Sequence, residues 1–197
     1  MRLLMVAPPG AGKGTQARKL AAQYHLEHIS SGDLFRREVE AGSPLGRQAA
    51  AFLARGDLVP DELVGDMIKA AILDAVQRGG YVLDGYPRTL SQAREAYEVA
   101  RHLEGVELQA VIHLDVDREE VRHRMLARAG AEGRTDDTSI TIDHRLDVYD
   151  ELTRPLLDYY AQRGLVIDVD GDQPIDDVFA DIVSAVDALA STGSPTT

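Results

Sequence analysis

Lys13 is one of three lysines in a chain that carries 18 arginines, and it stands in the run Ala7-Pro8-Pro9-Gly10-Ala11-Gly12-Lys13-Gly14-Thr15. Glycines at this density let backbone N–H groups turn inward around phosphate oxygens, and a lysine at the mouth of the turn adds a point charge for the outer phosphates. Against the template G-x-x-x-x-G-K-[ST] the run departs twice, since Ala7 replaces the first glycine and Gly14 stands where Ser or Thr is expected. With no hydroxyl after Lys13, a magnesium ion travelling with a nucleotide has to be held otherwise, through water by carboxylates. A second cluster, Tyr81-Val82-Leu83-Asp84-Gly85-Tyr86-Pro87-Arg88 with Gln92 four residues on, contains such a carboxylate. Asp84 at the end of an apolar run suits the water shell of Mg2+, and Arg88 suits a bidentate grip on a phosphate. Gln92 offers a donor and an acceptor with which to read an adenine edge.

Elements must bring these residues together. Short apolar runs over Arg2–Val6, Tyr81–Leu83, Ala110–Leu114 and Leu165–Ile167, with a weaker one at Glu27–Ile29, predict buried parallel strands. Between them, helical patterns run over Gly14–Tyr24, Asp61–Gln77, Leu90–Leu103, Arg118–Arg128, Ile140–Arg163 and Ile175–Leu189. The alternation predicts an α/β fold, a doubly wound five-stranded parallel sheet covered on both faces with its ligand crevice at the carboxyl ends of the strands, and the glycine-rich run before Lys13 makes the expected arrangement a P-loop three-layer α/β/α one. Two stretches exceed a minimal βαβ unit: Ser30–Val59 and Ala129–Ser139, the latter containing Gly-Arg-Thr-Asp-Asp-Thr. Insertions placed after strands face the crevice, so these are the expected moving parts. The expected division is a core of 1–29, 60–128 and 140–189, insertions at 30–59 and 129–139, and a polar, disordered tail over 190–197.

Composition narrows the class. A chain of 197 residues favours one domain, and 21 Lys plus Arg against 33 Asp plus Glu gives a net charge of −12. The sequence pI near 4.8 disfavours general binding to nucleic acid or to anionic membranes. The absence of Cys excludes disulfides, a thiol nucleophile and a Cys-built zinc site, and it suits a reducing, cytoplasmic setting. The apolar run Leu3–Ala7 stops at Pro8-Pro9, too short for a signal-peptide core, and no stretch approaches a membrane span. His25, His28, His102, His113, His123 and His144 show no metal-ligand spacing.

Four motifs, taken together, resemble the adenylate kinase family over nearly the whole chain except the tail. They are Pro9-Gly10-Ala11-Gly12-Lys13-Gly14-Thr15-Gln16, Ile29-Ser30-Ser31-Gly32-Asp33-Leu34-Phe35-Arg36, Gly56-Asp57-Leu58-Val59-Pro60-Asp61-Glu62, and Leu83-Asp84-Gly85-Tyr86-Pro87-Arg88 with Gln92. Gly14 followed by Thr15 is the form the phosphate loop takes in that family, while Ala7 remains a departure. The resemblance implies Mg-dependent, in-line transfer of a phosphoryl group from ATP to AMP, reversibly, giving two ADP. It implies that Gly10, Ala11, Gly12, Lys13, Gly14 and Thr15 bind ATP together with Arg124 and Arg128. It places Ser31, Arg36, Val59, Gly85, Arg88, Gln92, Arg134 and Arg145 on AMP, with Arg36 and Arg88 on its phosphate. Arg134 and Arg145, eleven residues apart, match the family's two later arginines, which with Arg124 and Arg128 converge on the ATP phosphates and the transferring group, and Asp136 and Asp137 match the acidic pair that orients them. Asp84 and Asp33 are expected to hold Mg2+ through water. The short second insertion without Cys implies the short-lid type with no zinc, with 30–59 closing over AMP and 129–139 over ATP. A monomer is expected. The rival readings are a UMP/CMP kinase, from which Gln92 and Ser31 discriminate, and a nucleotide-binding regulator that does not transfer phosphate.

Overall fold

The chain is described from a computed structural model covering residues 1–103, 105–132 and 138–192; residues 104, 133–137 and 193–197, and the side chains of 128–132, 190 and 192, lie outside the description. Strand β1 (Arg2–Val6) occupies the middle of a parallel sheet. On one side lies β3 (Tyr81–Asp84) and then β2 (Glu27–Ser30); on the other lies β4 (Ala110–Asp115) and then β5 (Val166–Asp170). The chain therefore crosses from β1 to the edge strand β2, returns inward to β3, and then passes to β4 and β5 on the other side, a reversal of direction that opens a crevice beyond the carboxyl end of β1. Register aims the chemistry there: Met5 and Ser30 flank Asp84 on neighbouring strands, and Val6 lies beside His113.

The central strands β1, β3 and β4 are buried on both faces, while the edge strands β2 and β5 are partly exposed. Leu3 and Met5 enter one core cluster while Leu4 and Val6 enter the other, following the two-residue alternation of a strand. The first cluster is closed by Ala17 and Leu20 of α1 (Lys13–Tyr24), Val121 and Met125 of α6 (Arg118–Glu132), Ile142 and Leu146 of α7 (Ser139–Val148), and Ile182 of α9 (Ile175–Thr192). The second is closed by Val64 and Ile68 of α4 (Asp61–Gln77), Ala93 of α5 (Leu90–Ala100), and Leu156 and Tyr160 of α8 (Pro155–Ala161). Each large apolar side chain so buried contributes about 1.5–3 kcal/mol.

Residues 30–59 fold as a pair of helices, α2 (Ser31–Glu40) and α3 (Pro44–Arg55), capped by Ser30 and Ser43, whose hydroxyls accept from the N–H groups of Asp33 and Gly46. At Gly46 a Cβ would lie 2.1 Å from the carbonyl oxygen of Glu38, so the two helices touch where no side chain fits.

Several helices depart from the sequence reading, and α5 ends at Ala100 where the helical pattern extends to Leu103. Helix α6 runs on to Glu132, so the first four residues of the stretch 129–139 are helical. Helix α9 continues to Thr192, past the start of the tail set at 190. The single helix expected over Ile140–Arg163 is interrupted by a π turn at Tyr149–Thr153, where the Arg154 N–H donates to Tyr149 C=O at 2.8 Å. Pro155 has no N–H to continue an ordinary ladder and its ring crowds the preceding turn, which is why the widening falls there. No helix among the described residues is long and apolar enough to cross a membrane.

Candidate active site

The loop between β1 and α1 turns at Gly10 (φ +90°) and Gly12 (φ +86°), a region that L side chains rarely adopt. A Cβ on Gly10 would also stand 2.5 Å from Cγ of Met125 and 2.9 Å from the carbonyl of Val121, so the loop lies directly against α6. Ala7 has no positive φ and is buried in the core cluster that holds Met5 and Ala11, so this backbone does not require the glycine of the template there. Gly12 caps α1 with no side-chain hydrogen bond, and no acidic residue stands in the first turn, which leaves that end of the helix favourable to an anion.

Lys13 at the first position of α1 reaches Asp84 at the end of β3, with Nζ 3.3 Å from Oδ1; His28 Nε2 lies 3.6 Å from Oδ2. Burial alone opposes charge on Asp84, but the positive Lys13, with His28 and Arg88 behind it, outweighs that and holds the carboxyl well below its usual range. Gly14 is explained by the same carboxylate. A Cβ there would lie 3.3 Å from Oδ2 of Asp84, so a Ser or Thr after the lysine would crowd the pair.

Beyond Asp84 the chain turns at Gly85 (φ +83°) and passes a cis Tyr86–Pro87 bond. The carbonyl of Gly85 accepts from Ser31 Oγ at 2.7 Å and from Arg88 Nε at 2.8 Å, so one backbone oxygen aligns a residue of α2 and the arginine. The Arg88 carbonyl accepts from Thr153 Oγ1 at 2.9 Å, and its N–H donates to Gln92 Oε1 at 2.7 Å. Burial pulls the Arg88 guanidinium below its ordinary pKa; Asp84 opposes this, while Arg145 and Arg36 add to it by repulsion. Lys13, Arg36, Arg88 and Arg145 line one cavity with Gly32 and Gly85. It adjoins a smaller one lined by Ser31, Phe35, Val59, Val64, Arg88 and Gln92. Cations gathered this way repel one another until an anion joins them.

The structure thus brings together Lys13, Ser31, Arg36, Val59, Gly85, Arg88, Gln92 and Arg145. Arg124 stands elsewhere, in contrast to the expected convergence: Nε donates to Glu120 at 2.6 Å, and the terminal nitrogens reach Gly171 C=O and Asp172 at the β5–α9 turn. Asp33 pairs with Arg36; burial disfavours its charge, yet that guanidinium and Ser30 hold its carboxyl below the usual range. The side chain of Arg128, and Arg134, Asp136 and Asp137 entirely, lie outside the described residues. Among the described residues, no three His, Cys, Asp or Glu side chains converge to hold a metal ion directly.

Two parts of this arrangement escape the sequence reading. Thr153 looks like an ordinary helix residue, and its only signal is the proline two positions later. The end of α3 meets α7: a Cβ on Gly56 would be 2.7 Å from Cγ of Arg145, and His144 Nε2 lies 2.7 Å from Oδ1 of Asp57. Contacts between residues so far apart in sequence leave no local pattern.

A phosphate-cradling turn at the switch point of a parallel sheet, faced by convergent guanidinium groups, defines the class of P-loop phosphotransferases. Comparison with known proteins narrows the class, since the family model described as adenylate kinase matches residues 5–165. An adenylate kinase of Thermobifida fusca is 44% identical over 190 residues, covering 96% of this chain and 100% of that protein. Those of Nocardioides sp. and Xanthomonas campestris are each 45% identical, covering 96% and 94% of this chain and 98% and 99% of theirs. The chain belongs to the adenylate kinase family, and it is a nucleoside monophosphate kinase.

Proposed function

We propose that the family reaction, transfer of a phosphoryl group from Mg·ATP to AMP giving two ADP, runs in this chain with the ATP phosphates on Gly10–Thr15 and the AMP phosphate between Arg36 and Arg88. The observation that carries this assignment is the cavity in which Lys13, Arg36, Arg88 and Arg145 converge beside Asp84. The acceptor is already an anionic phosphate oxygen, so no general base is needed. Catalysis then rests on alignment and on neutralising charge in the in-line transition state, the work of Lys13, Arg88 and Arg145 with Arg128 and Arg134. Arg124, held at the β5–α9 turn, serves the donor side from there.

The magnesium ion enters as part of the substrate Mg·ATP and spreads the phosphate charge. Asp84 suits it: the carboxylate is ionised at neutral pH and stands beside the lysine of the phosphate loop. Water-mediated contact from Asp84, with Asp33 as a second carboxylate, suits a magnesium ion that keeps several of its waters. Ser31, Val59, Gly85 and Gln92 form the acceptor pocket, in which Gln92 reads the adenine edge. The helices of 30–59 close over AMP and the stretch 129–139 over ATP, excluding water that would otherwise take the phosphoryl group. The enzyme acts as a cytoplasmic monomer on free nucleotides, away from nucleic acid and membranes.

A coupled assay with Mg·ATP tests the assignment by comparing AMP, UMP, CMP and GMP as acceptors against a control without acceptor. Rapid ADP formation with AMP alone is expected. Preference for UMP or CMP would overturn Gln92 as the adenine reader.

A further inference from the structure

Gln92 is 3% exposed, and both ends of its side-chain amide are engaged. Its Oε1 accepts the backbone N–H of Arg88 at 2.7 Å, while Nε2 donates to Oδ1 of Asp61, the first residue of α4, at 2.5 Å. The Gln92 backbone N–H is taken by Thr89 Oγ1, the cap of α5. A backbone N–H can only donate and a carboxylate can only accept. The amide therefore has one orientation: turned end for end, it would set NH2 against the Arg88 N–H and the carbonyl against the Asp61 carboxylate. Each end keeps one further capacity, a second hydrogen on Nε2 and a second lone pair on Oε1, on a side chain that lines the smaller cavity.

Purine monophosphates differ in what they present to such an amide. A 6-aminopurine offers a ring nitrogen acceptor beside an amino donor; a 6-oxopurine offers a ring N–H donor beside a carbonyl acceptor. A freely turning glutamine suits both, whereas a locked one suits one and meets the other with donor against donor. We infer that Asp61 is a specificity-determining positioning residue, which together with the Arg88 N–H fixes the polarity of the Gln92 amide so that 6-aminopurine monophosphates are accepted and 6-oxopurine monophosphates rejected. The inference rests on the reading of Gln92 as the base contact. It extends base selection to a residue on α4, where the chain leaves the 30–59 insertion.

The test compares kcat/KM for AMP and for IMP in the full-length enzyme, with Asp61→Asn as the main variant. Asparagine is nearly isosteric but can turn either its carbonyl or its amide toward Gln92, so it removes one of the two contacts that fix the amide and leaves the Arg88 N–H to hold Oε1 alone. The AMP-over-IMP preference is expected to fall about 10- to 100-fold, through the KM for AMP and improved use of IMP, with the KM for ATP constant. Asp61→Ala, which removes the acceptor altogether, serves as the second variant, with thermal melts to establish that each folds. Gln92→Ala should abolish most of the preference, and adding Asp61→Asn to it should change nothing further. If Gln92→Ala lowers the preference while both Asp61 variants keep it, the lock is refuted and the base contact stands. A preference unchanged by Gln92→Ala refutes the base contact and the lock with it. An equal effect of Asp61→Asn with and without Gln92 would mean that Asp61 acts through the helix, which also overturns the inference.

Discussion

Replacing Gly85 by alanine perturbs the acceptor site through one methyl group. The residue has φ +83°, where an L side chain costs about 1–2 kcal/mol. The new Cβ would lie 2.6 Å from Ser31 Oγ and 2.8 Å from Arg88 Nη2, too close for either to stay. Losing the Ser31–Gly85 hydrogen bond removes about 1 kcal/mol more, giving roughly 2–3 kcal/mol before the arginine is counted. For a chain of this length that corresponds to a fall in Tm of about 4–12 °C. Displacing Arg88 by the better part of an ångström should cut kcat/KM for AMP about 100-fold. The control is Gly164→Ala, where φ is +67° but nothing lies within 4 Å of the added Cβ, so backbone strain acts alone. Calorimetry and steady-state kinetics with each nucleotide varied read the two effects. If Gly85→Ala melts no lower than Gly164→Ala and uses AMP normally, the close approach of Ser31, Gly85 and Arg88 described above is wrong.

Lys13→Met should lower kcat by about 100- to 1000-fold with an unchanged circular dichroism spectrum, and surviving turnover would overturn its role in the transition state. Asp84 is depressed below the usual value near 3.8, so its ionised form favours the folded state: that stability is present above about pH 4 and lost as pH falls through the depressed value. Asp84→Asn should therefore destabilise the protein at pH 7 and much less in strong acid; denaturation curves offset equally at both pH values would contradict the Lys13–Asp84 pairing. Distance labels placed in 30–59 and 129–139 should draw together when a bisubstrate analogue binds, and an unchanged separation would end the two-flap reading.

The strands and α4 were legible for definite reasons. Asp61–Gln77 has Pro60 before it, Asp61 and Glu62 in its first turn and Gly79-Gly80 after it, so both ends are marked by residue type. The π turn was not legible. Buried residues Ile142, Leu146, Tyr149, Thr153, Leu156 and Tyr160 keep spacings of four and three throughout, so the pattern is that of one continuous helix. Pro155 alone marks the break, and its effect on Thr153 and thence on Arg88 depends on tertiary placement. At the site, Lys13, Arg88 and Gln92 could be found because glycine turns and strand ends announce them. Their partners could not: Asp61 meets Gln92 from another helix, and Arg124 turns to Asp172 across a gap of 48 residues. Pairings across such distances follow from packing, which local spacing does not encode.

Because β1 is hydrogen-bonded to a neighbour on each side and its residues Leu3–Val6 are at most 2% exposed, its amides sit where partial opening does not reach. Hydrogen exchange there has to wait for the whole sheet to come apart, while segments at the rim open at a small fraction of the global free energy. Lys13 and its glycine turn are thus tethered to a strand of the sheet's buried centre, whereas the helices of 30–59 follow the edge strand β2. If the helices of 30–59 close over AMP as proposed, their movements would leave the sheet intact, and the phosphates would keep one fixed reference frame through the cycle.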